Sequence, residues 1–295
     1  MHTLSGLCIW GAGQEGLADA LTPASLAATH PLWADEVERL GPWNLSGGFY
    51  RSAFQADGPA VCICGPCTSS MDVARALAEQ GVLGPWGAVL AVDQRAGRGQ
   101  LQRHWASGPG DLMATWRWPV LDKRWDPLLP LLLGAVVAAE LEERGFPVRV
   151  KWPNDLLLHQ RKVGGILVEE RGGLVLGGIG LNLVSAPPEE AIREQWSPRA
   201  TSLFAHGEVK SIISLWRSLV NRAENWYQSK VSCSGPAQFL ESFTLRLAWL
   251  GQQVRVRGAE GEYMAVLLGL APDGGLVLER DGGKVTLYSG SLSLP

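Results

Sequence analysis

The chain lacks several features that would take it out of the ordinary run of globular proteins. Its apolar stretch from Pro127 to Ala139 contains two prolines and falls short of the ~20 residues needed to cross a bilayer. No Lys or Arg precedes Arg39, so the basic start of a secretory signal is missing and the sequence reads as cytoplasmic. Five cysteines in 295 residues are too few, and odd in number, for a disulfide framework, which fits a reducing compartment. Charge of one sign is lacking too. With 26 Lys and Arg against 29 Asp and Glu, the net charge is -3 and the pI near 6.0, so no global field draws in nucleic acid or an anionic membrane. Repeats and low-complexity tracts are absent.

What is present is enough to fold. A 46% hydrophobic content over this length supports one large core and a small appendage. Three regions are expected: 1–56, an N-terminal extension of unknown role; 57–247, a domain with strong helix and strand signals; and 248–295, all strand and turn. In the middle region Ser69 opens a helix, with Asp72 three positions on in a capping-box pattern. Val73, Ala74, Leu77 and Ala78 supply its buried face and Gly81 ends it. A second, mostly buried helix runs from Leu128 to Arg144, before Gly145. Short strands follow at Val148–Lys151, Leu156–Leu158, Val163–Glu169 and Leu174–Leu183, an antiparallel meander. Helical spacing of Ile212, Trp216, Leu219, Val220, Ala223 and Trp226 marks a later amphipathic helix. Hairpin turns at Asp273-Gly274-Gly275 and Asp281-Gly282-Gly283 point to a small terminal barrel.

Three signals invite other functions. Gly11-Ala12-Gly13-Gln14-Glu15-Gly16 fits a dinucleotide fingerprint and follows the apolar run Leu7–Trp10, but Pro23 breaks the helix that should come next. Cys64-Gly65-Pro66-Cys67 has the thioredoxin redox spacing between a strand and a helix start, where a thiolate is stabilised, without the surrounding fold. A metal role for Cys62, Cys64 and Cys67 lacks a nearby fourth ligand, and small buried thiols are the favoured reading. A DNA-reading module in residues 1–56 would approach phosphates with Arg39 and Arg51 as its bases against Glu15, Asp19, Asp35, Glu36 and Glu38, which is the wrong sign.

Four further segments occur in order: Gln94 to Trp105, with Gly97-Arg98-Gly99 at its centre; Lys151-Trp152-Pro153-Asn154-Asp155; Lys162-Val163-Gly164-Gly165-Ile166-Leu167; and Gly178-Ile179-Gly180-Leu181-Asn182. In this arrangement the chain resembles the biotin protein ligases over residues 60 to 295. The resemblance implies an α/β fold on a mixed central sheet of the class II aminoacyl-tRNA synthetase type, followed by an SH3-like β-barrel. It implies activation of biotin by ATP, with Mg2+, to biotinyl-5'-adenylate, then transfer to a lysine of a biotin carboxyl carrier domain. A lipoate or octanoate ligase and a non-catalytic biotin-binding regulator are the alternatives. No DNA or membrane partner is expected, and a homodimer is left open.

The chemistry accounts for the residue types. A carboxylate attacking an α-phosphate brings two anions together, and fixed cations offset the repulsion. Arg98, Arg103, Lys151 and Lys162 are the candidates. Gly97 and Gly99 are expected to take left-handed angles in a loop that closes over ligand, while Arg98 forks onto phosphate or carboxylate oxygens. By resemblance, Lys162 contacts the biotin carboxylate and the adenylate ester oxygen. Asp155 orients and deprotonates the acceptor amine, whose ammonium has a pKa near ~10.4. Asn154 and Asn182 bond the nucleotide, Trp105 walls the adenylate, and Gly165 and Gly178 leave room for a flat bicyclic ligand. Ser69, Ser70 and Gln94 occupy the positions that bond the ureido group. The chain departs from the family at Gln100, where Arg is common, at Gln102, where Gly is common, and at Ser70-Met71, where Thr-Asn is common.

Overall fold

The computed structural model describes residues 3–100, 103–188, 198–231 and 235–295. Along the chain the first elements are β1 (Leu7–Trp10), α1 (Pro23–Ala27), α2 (Pro31–Leu40), β2 (Trp43–Ser46), β3 (Phe49–Ser52), β4 (Val61–Cys64), α3 (Ser70–Glu79), β5 (Ala88–Ala91) and β6 (Leu112–Trp118). Next come α4 (Leu129–Glu143), β7 (Val148–Lys151), β8 (Asp155–Leu158), β9 (Arg161–Arg171), β10 (Leu174–Leu181), α5 (Ile212–Trp226) and α6 (Pro236–Thr244). The chain ends with β11 (Gln253–Gly258), β12 (Gly261–Leu270), β13 (Leu276–Arg280), β14 (Gly283–Leu287) and β15 (Ser291–Ser293). This is the expected α/β class, with a large mixed sheet and a small antiparallel one.

Two compact units divide the chain. The first comprises Met1–Val120, Gly164–Pro187 and Ser202–Val220; the second comprises Leu121–Val163, Pro188–Thr201 and Asn221–Pro295.

In the first unit the strand order is β2-β3-β1-β4-β5-β6-β10-β9. β1, β4 and β5 run parallel to one another, while β2-β3-β1 on one side and β5-β6-β10-β9 on the other are antiparallel. Residues 1–56, expected as an extension, thus supply three strands of this sheet. The reason is visible in Leu-Cys-Ile-Trp of β1: four buried residues in a row need cover on both faces, so the strand lies between β3 and β4. The fingerprint glycines after β1 lead to the five-residue helix α1, with Pro23 in its first turn, and not to the long helix of a nucleotide fold. Glu36 of α2 is 2% exposed and accepts hydrogen bonds from the Ser211 hydroxyl and the Ile213 N–H, serving the start of α5.

α3 forms as its pattern predicts. Ser69 is its N-cap, accepting from the Met71 N–H at 3.3 Å, its buried face is Ser70, Met71, Val73, Ala74, Leu77 and Ala78, and Gly81 stops it at a left-handed φ of +72°. The capping box does not: Asp72 turns away to Arg98 and Thr68. Trp86, Trp116, Trp118 and Trp216 pack as one aromatic group with ring centroids 5.1 to 5.8 Å apart.

In the second unit α4 is apolar almost all round and ends before Gly145, as expected for a buried helix. β7 and β8 pair antiparallel across residues 152–154, placing Lys151 opposite Asp155. β7 is held on its other side by segment 246–248, through Val150 N–H to the Arg246 carbonyl and Ala248 N–H to the Val150 carbonyl. The small sheet has the order β14-β13-β12-β11-β15, all antiparallel. Its Asp273-Gly274-Gly275 turn receives the Trp152 indole N–H at the Gly274 carbonyl, 3.0 Å away. No helix among the described residues is long and apolar enough to cross a membrane.

Candidate active site

The first unit brings Ser69, Ser70 and Gln94 together. The Gln94 side-chain oxygen accepts from the Ser70 N–H at 2.8 Å and from the Ser69 hydroxyl at 3.4 Å. The Ser70 hydroxyl meets that of Thr115 at 2.8 Å; both residues are buried, Thr115 completely. Thr115 is a polar member that the sequence did not announce. It sits mid-strand in β6 opposite Gly178 of β10, and a single Thr in an apolar strand carries no motif.

The Gly-Arg-Gly segment folds back on itself. Gly99 N–H bonds the Arg103 carbonyl at 2.8 Å, Arg103 N–H the Gln100 carbonyl at 3.2 Å, and Trp105 N–H the Gly97 carbonyl at 2.9 Å. Neither Gly97 nor Gly99 takes a left-handed angle, contrary to expectation. Gly97 is required for a different reason: a Cβ there would lie 2.6 Å from the Trp105 carbonyl oxygen. Arg98 forks onto the Asp72 carboxylate at 2.6 and 3.1 Å, with Glu169 at 3.9 Å and Arg75 beyond it at 2.8 Å from Glu169. The planar guanidinium thus does what suits it, on a carboxylate of its own chain. Gln102 lies outside the described residues.

The Trp105 ring lies against Gly180, where a Cβ would come within 2.4 Å of the indole, and Gly165 faces Gly180 across the β9–β10 ladder. Gly178, expected to open a space, is faced by the Met71 methyl and by Leu167. Asn182 is 2% exposed at the end of β10, its carbonyl accepting from Leu203 N–H. Nearby order is set by Asp111, another residue the sequence did not announce. Its buried carboxylate accepts from Gly108 N–H, Val184 N–H, Ser185 N–H and the Ser185 hydroxyl at 2.8 to 3.1 Å.

The second unit holds the charged group. Asp155 takes Lys151 Nζ at 3.0 Å on one oxygen and Lys162 Nζ at 2.5 Å on the other. Hairpin register supplies the first contact; the second follows because Lys162, at the start of β9, is fixed between the Arg199 carbonyl and the Thr201 N–H. Burial pushes the Asp155 carboxyl upward, but the charges of Lys162 and then Lys151 outweigh it and leave the pKa at about 2. A carboxylate so held is a weak proton acceptor, which counts against the expected deprotonation of an acceptor ammonium and leaves orientation. Asn154 belongs to the turn just before Asp155.

The Cys64–Cys67 pair is not poised for redox chemistry. Both thiols are fully buried, and the hydrogen bond that Cys64 shares with Cys67 and then burial push the Cys64 thiol well above its ordinary value. α3 begins at Ser70, three residues past Cys67. Among the described residues no group of three or more His, Cys, Asp or Glu could hold a metal ion.

Residues 64–183 match the sequence model of the Biotin/lipoate A/B protein ligase family, and residues 249–294 that of the Biotin protein ligase C terminal domain. The chain belongs to the biotin protein ligase family. It is 31% identical to the Bifunctional ligase/repressor BirA of Bacillus subtilis (strain 168), over 70% of this chain and 65% of that protein. It is 29% identical to the Biotin--[acetyl-CoA-carboxylase] ligase of Paracoccus denitrificans, over 66% of this chain and 85% of that one. Among solved structures, the biotin protein ligase from Aquifex aeolicus in complex with biotin and ATP superposes with a TM-score of 0.67 at 27% identity, covering 79% of this chain and 97% of that one.

Proposed function

We propose that the protein activates biotin with ATP to biotinyl-5'-adenylate, releasing pyrophosphate, and passes the biotinyl group to a lysine of a biotin carboxyl carrier domain. The observation that carries this is the Lys151–Asp155–Lys162 group, two ammonium charges fixed on one carboxylate. Such charges need no reorganisation when a substrate carboxylate and a phosphate meet. Lys162 is the point charge for the biotin carboxylate and the ester oxygen, Lys151 supports it, and Asp155 sets their geometry and orients the incoming amine. Arg98 and Arg103 serve the phosphates, Arg98 after exchanging its Asp72 partner for ligand. Asn154, Asn182 and Trp105 serve the nucleotide.

Ser69, Ser70 and Gln94 supply hydroxyl and amide groups for the ureido ring. An alkyl tail offers no polar atom to meet these groups, which favours biotin over octanoate. Residues 57–247 carry the activation chemistry and 248–295 the SH3-like domain, supported by the two matched segments. Mg2+ enters with the ATP phosphates, and no described side-chain cluster calls for a resident ion. Supporting the acceptor is the name of the Paracoccus denitrificans relative, an acetyl-CoA-carboxylase ligase.

Biotin-dependent ATP–pyrophosphate exchange tests the reading. Exchange with biotin and not with octanoate is the expected result. Exchange with octanoate alone would replace biotin by a fatty acid, and tight biotin binding without exchange would make the protein a binding regulator.

A further inference from the structure

Two motifs left unused by the activity pack on each other. The fingerprint stretch Gly11–Gly16 leads into a tight hairpin, in which Gln14 and Ala18 exchange backbone hydrogen bonds at 2.9 and 3.0 Å. The outgoing residues then pair with the Cys64-Gly65-Pro66-Cys67 segment. Thr68 N–H bonds the Leu17 carbonyl at 3.2 Å, Asp19 N–H bonds the Pro66 carbonyl at 2.9 Å, and Ala18 and Cys67 form an antiparallel bridge.

The opposite edge of the same segment pairs with the strand leaving β5. Cys67 N–H bonds the Asp93 carbonyl at 3.1 Å, while Arg95 N–H and Ala96 N–H bond the Cys67 and Thr68 carbonyls, each at 2.8 Å. Residues 66–68 are therefore the middle of a three-segment ladder. Ser69 and Ser70 follow directly on the middle segment, and Gln94 lies on the outer one. The Asp19 carboxylate pairs with Arg95, beside Gln94, closing the ladder across its ends. Gly65 makes the close approach possible, since a Cβ there would lie 2.6 Å from the Asp19 carbonyl oxygen.

We propose that Leu17–Asp19 is a positioning element for the ring-binding trio, holding Ser69, Ser70 and Gln94 in register by pairing with residues 66–68. This rests on the reading that the trio binds the biotin ring. It gives the N-terminal region a part in substrate affinity beyond completing a sheet. The hydrogen bonds of Ser69 and Ser70 to Gln94 tie the middle segment to the outer one, so a shifted ladder alters ring binding more than nucleotide binding.

The test is steady-state exchange on the full chain, with biotin and ATP varied separately. Gly65→Val forces Asp19 away and is expected to raise the KM for biotin about tenfold, with the KM for ATP within about twofold of wild type. Thermal unfolding of the same preparation establishes that it folds. A folded Gly65→Val with unchanged biotin KM, or with both KM values raised alike, overturns the proposal.

Should Gly65→Val fail to fold, the charge pair decides. Asp19→Arg is expected to raise the biotin KM about threefold and the Asp19→Arg/Arg95→Asp double variant to restore it. No change in Asp19→Arg, or no recovery in the double variant, overturns it. A wild-type chain without biotin-dependent exchange removes the reading of the site itself, a different failure from a ladder variant that leaves an active enzyme unaffected.

Discussion

The polar group around Ser70 and the charged group around Asp155 are built by different means. The first is neutral and assembled from distant parts of the chain: Ser70 meets Gln94 and Thr115, which lie 24 and 45 residues on, each contact a single hydrogen bond whose geometry the backbone sets. The second is local and charged. Lys151 and Asp155 oppose each other across one hairpin, with Lys162 seven residues further on. Neutral hydrogen bonds are individually weak but costly to orphan, whereas the lysine pair exerts a field before any ligand arrives. The first arrangement suits discrimination and the second rate.

Breaking the charged group should cost most. Lys162→Ala is expected to lower single-turnover adenylate formation by about 100- to 1,000-fold, with the biotin KM moving far less. A loss seen mainly in KM would make the lysine a binding residue only. Asp155→Asn should slow transfer to the acceptor at least as much as adenylation, by about 100-fold, because both ammonium groups lose their anchor. Equal rates in variant and wild type for both steps would remove the assignment.

The same variant separates the two groups by pH. Asp155 titrates at about 2 in the fold against an ordinary 3.8, so the folded state favours its ionised form. The resulting contribution of about 2 kcal/mol is fully present above the ordinary value and is lost as pH falls from there through about 2. Acid unfolding followed from pH 6 to 2 should show Asp155→Asn less stable at the upper end and converging on wild type at the lower.

Sharpening the neutral side needs a smaller change. Thr115→Val leaves the Ser70 hydroxyl buried without its partner and should cost about 1 to 2 kcal/mol of stability, with a rise in biotin KM of about fivefold. Smallest is Gln100→Arg, which returns a guanidinium to the phosphate side and should lower the KM for ATP about threefold. An unchanged ATP KM would mean that position 100 does not address the phosphates.

The difference between the groups also explains what could be read in the sequence. Lys151, Asp155 and Lys162 stood out because several motifs occur together in order, and the first two lie close enough in sequence for one hairpin to bring them opposite each other. Ser69 and Gly81 marked α3 because capping and stopping act within a few residues. Thr115, Asp111 and Glu36 were not legible, since each is one polar residue with partners as far as 45, 74 and 177 positions away. The role of region 1–56 was not legible for the same reason. What makes β1 internal is its pairing with β4, more than fifty residues later. Gly97 was identified, but for a conformation it does not adopt; its need comes from the Trp105 backbone lying against it.

The indole of Trp152, bonded to the carbonyl of Gly274, has a consequence for anyone engineering the chain. A fragment cut before the terminal sheet would lose the anchor of the residue directly following Lys151, so the motif in the middle of the chain depends on a turn near its end. A chimera that exchanges this tail must carry a matching turn, or it will change turnover through a residue the donor never touched.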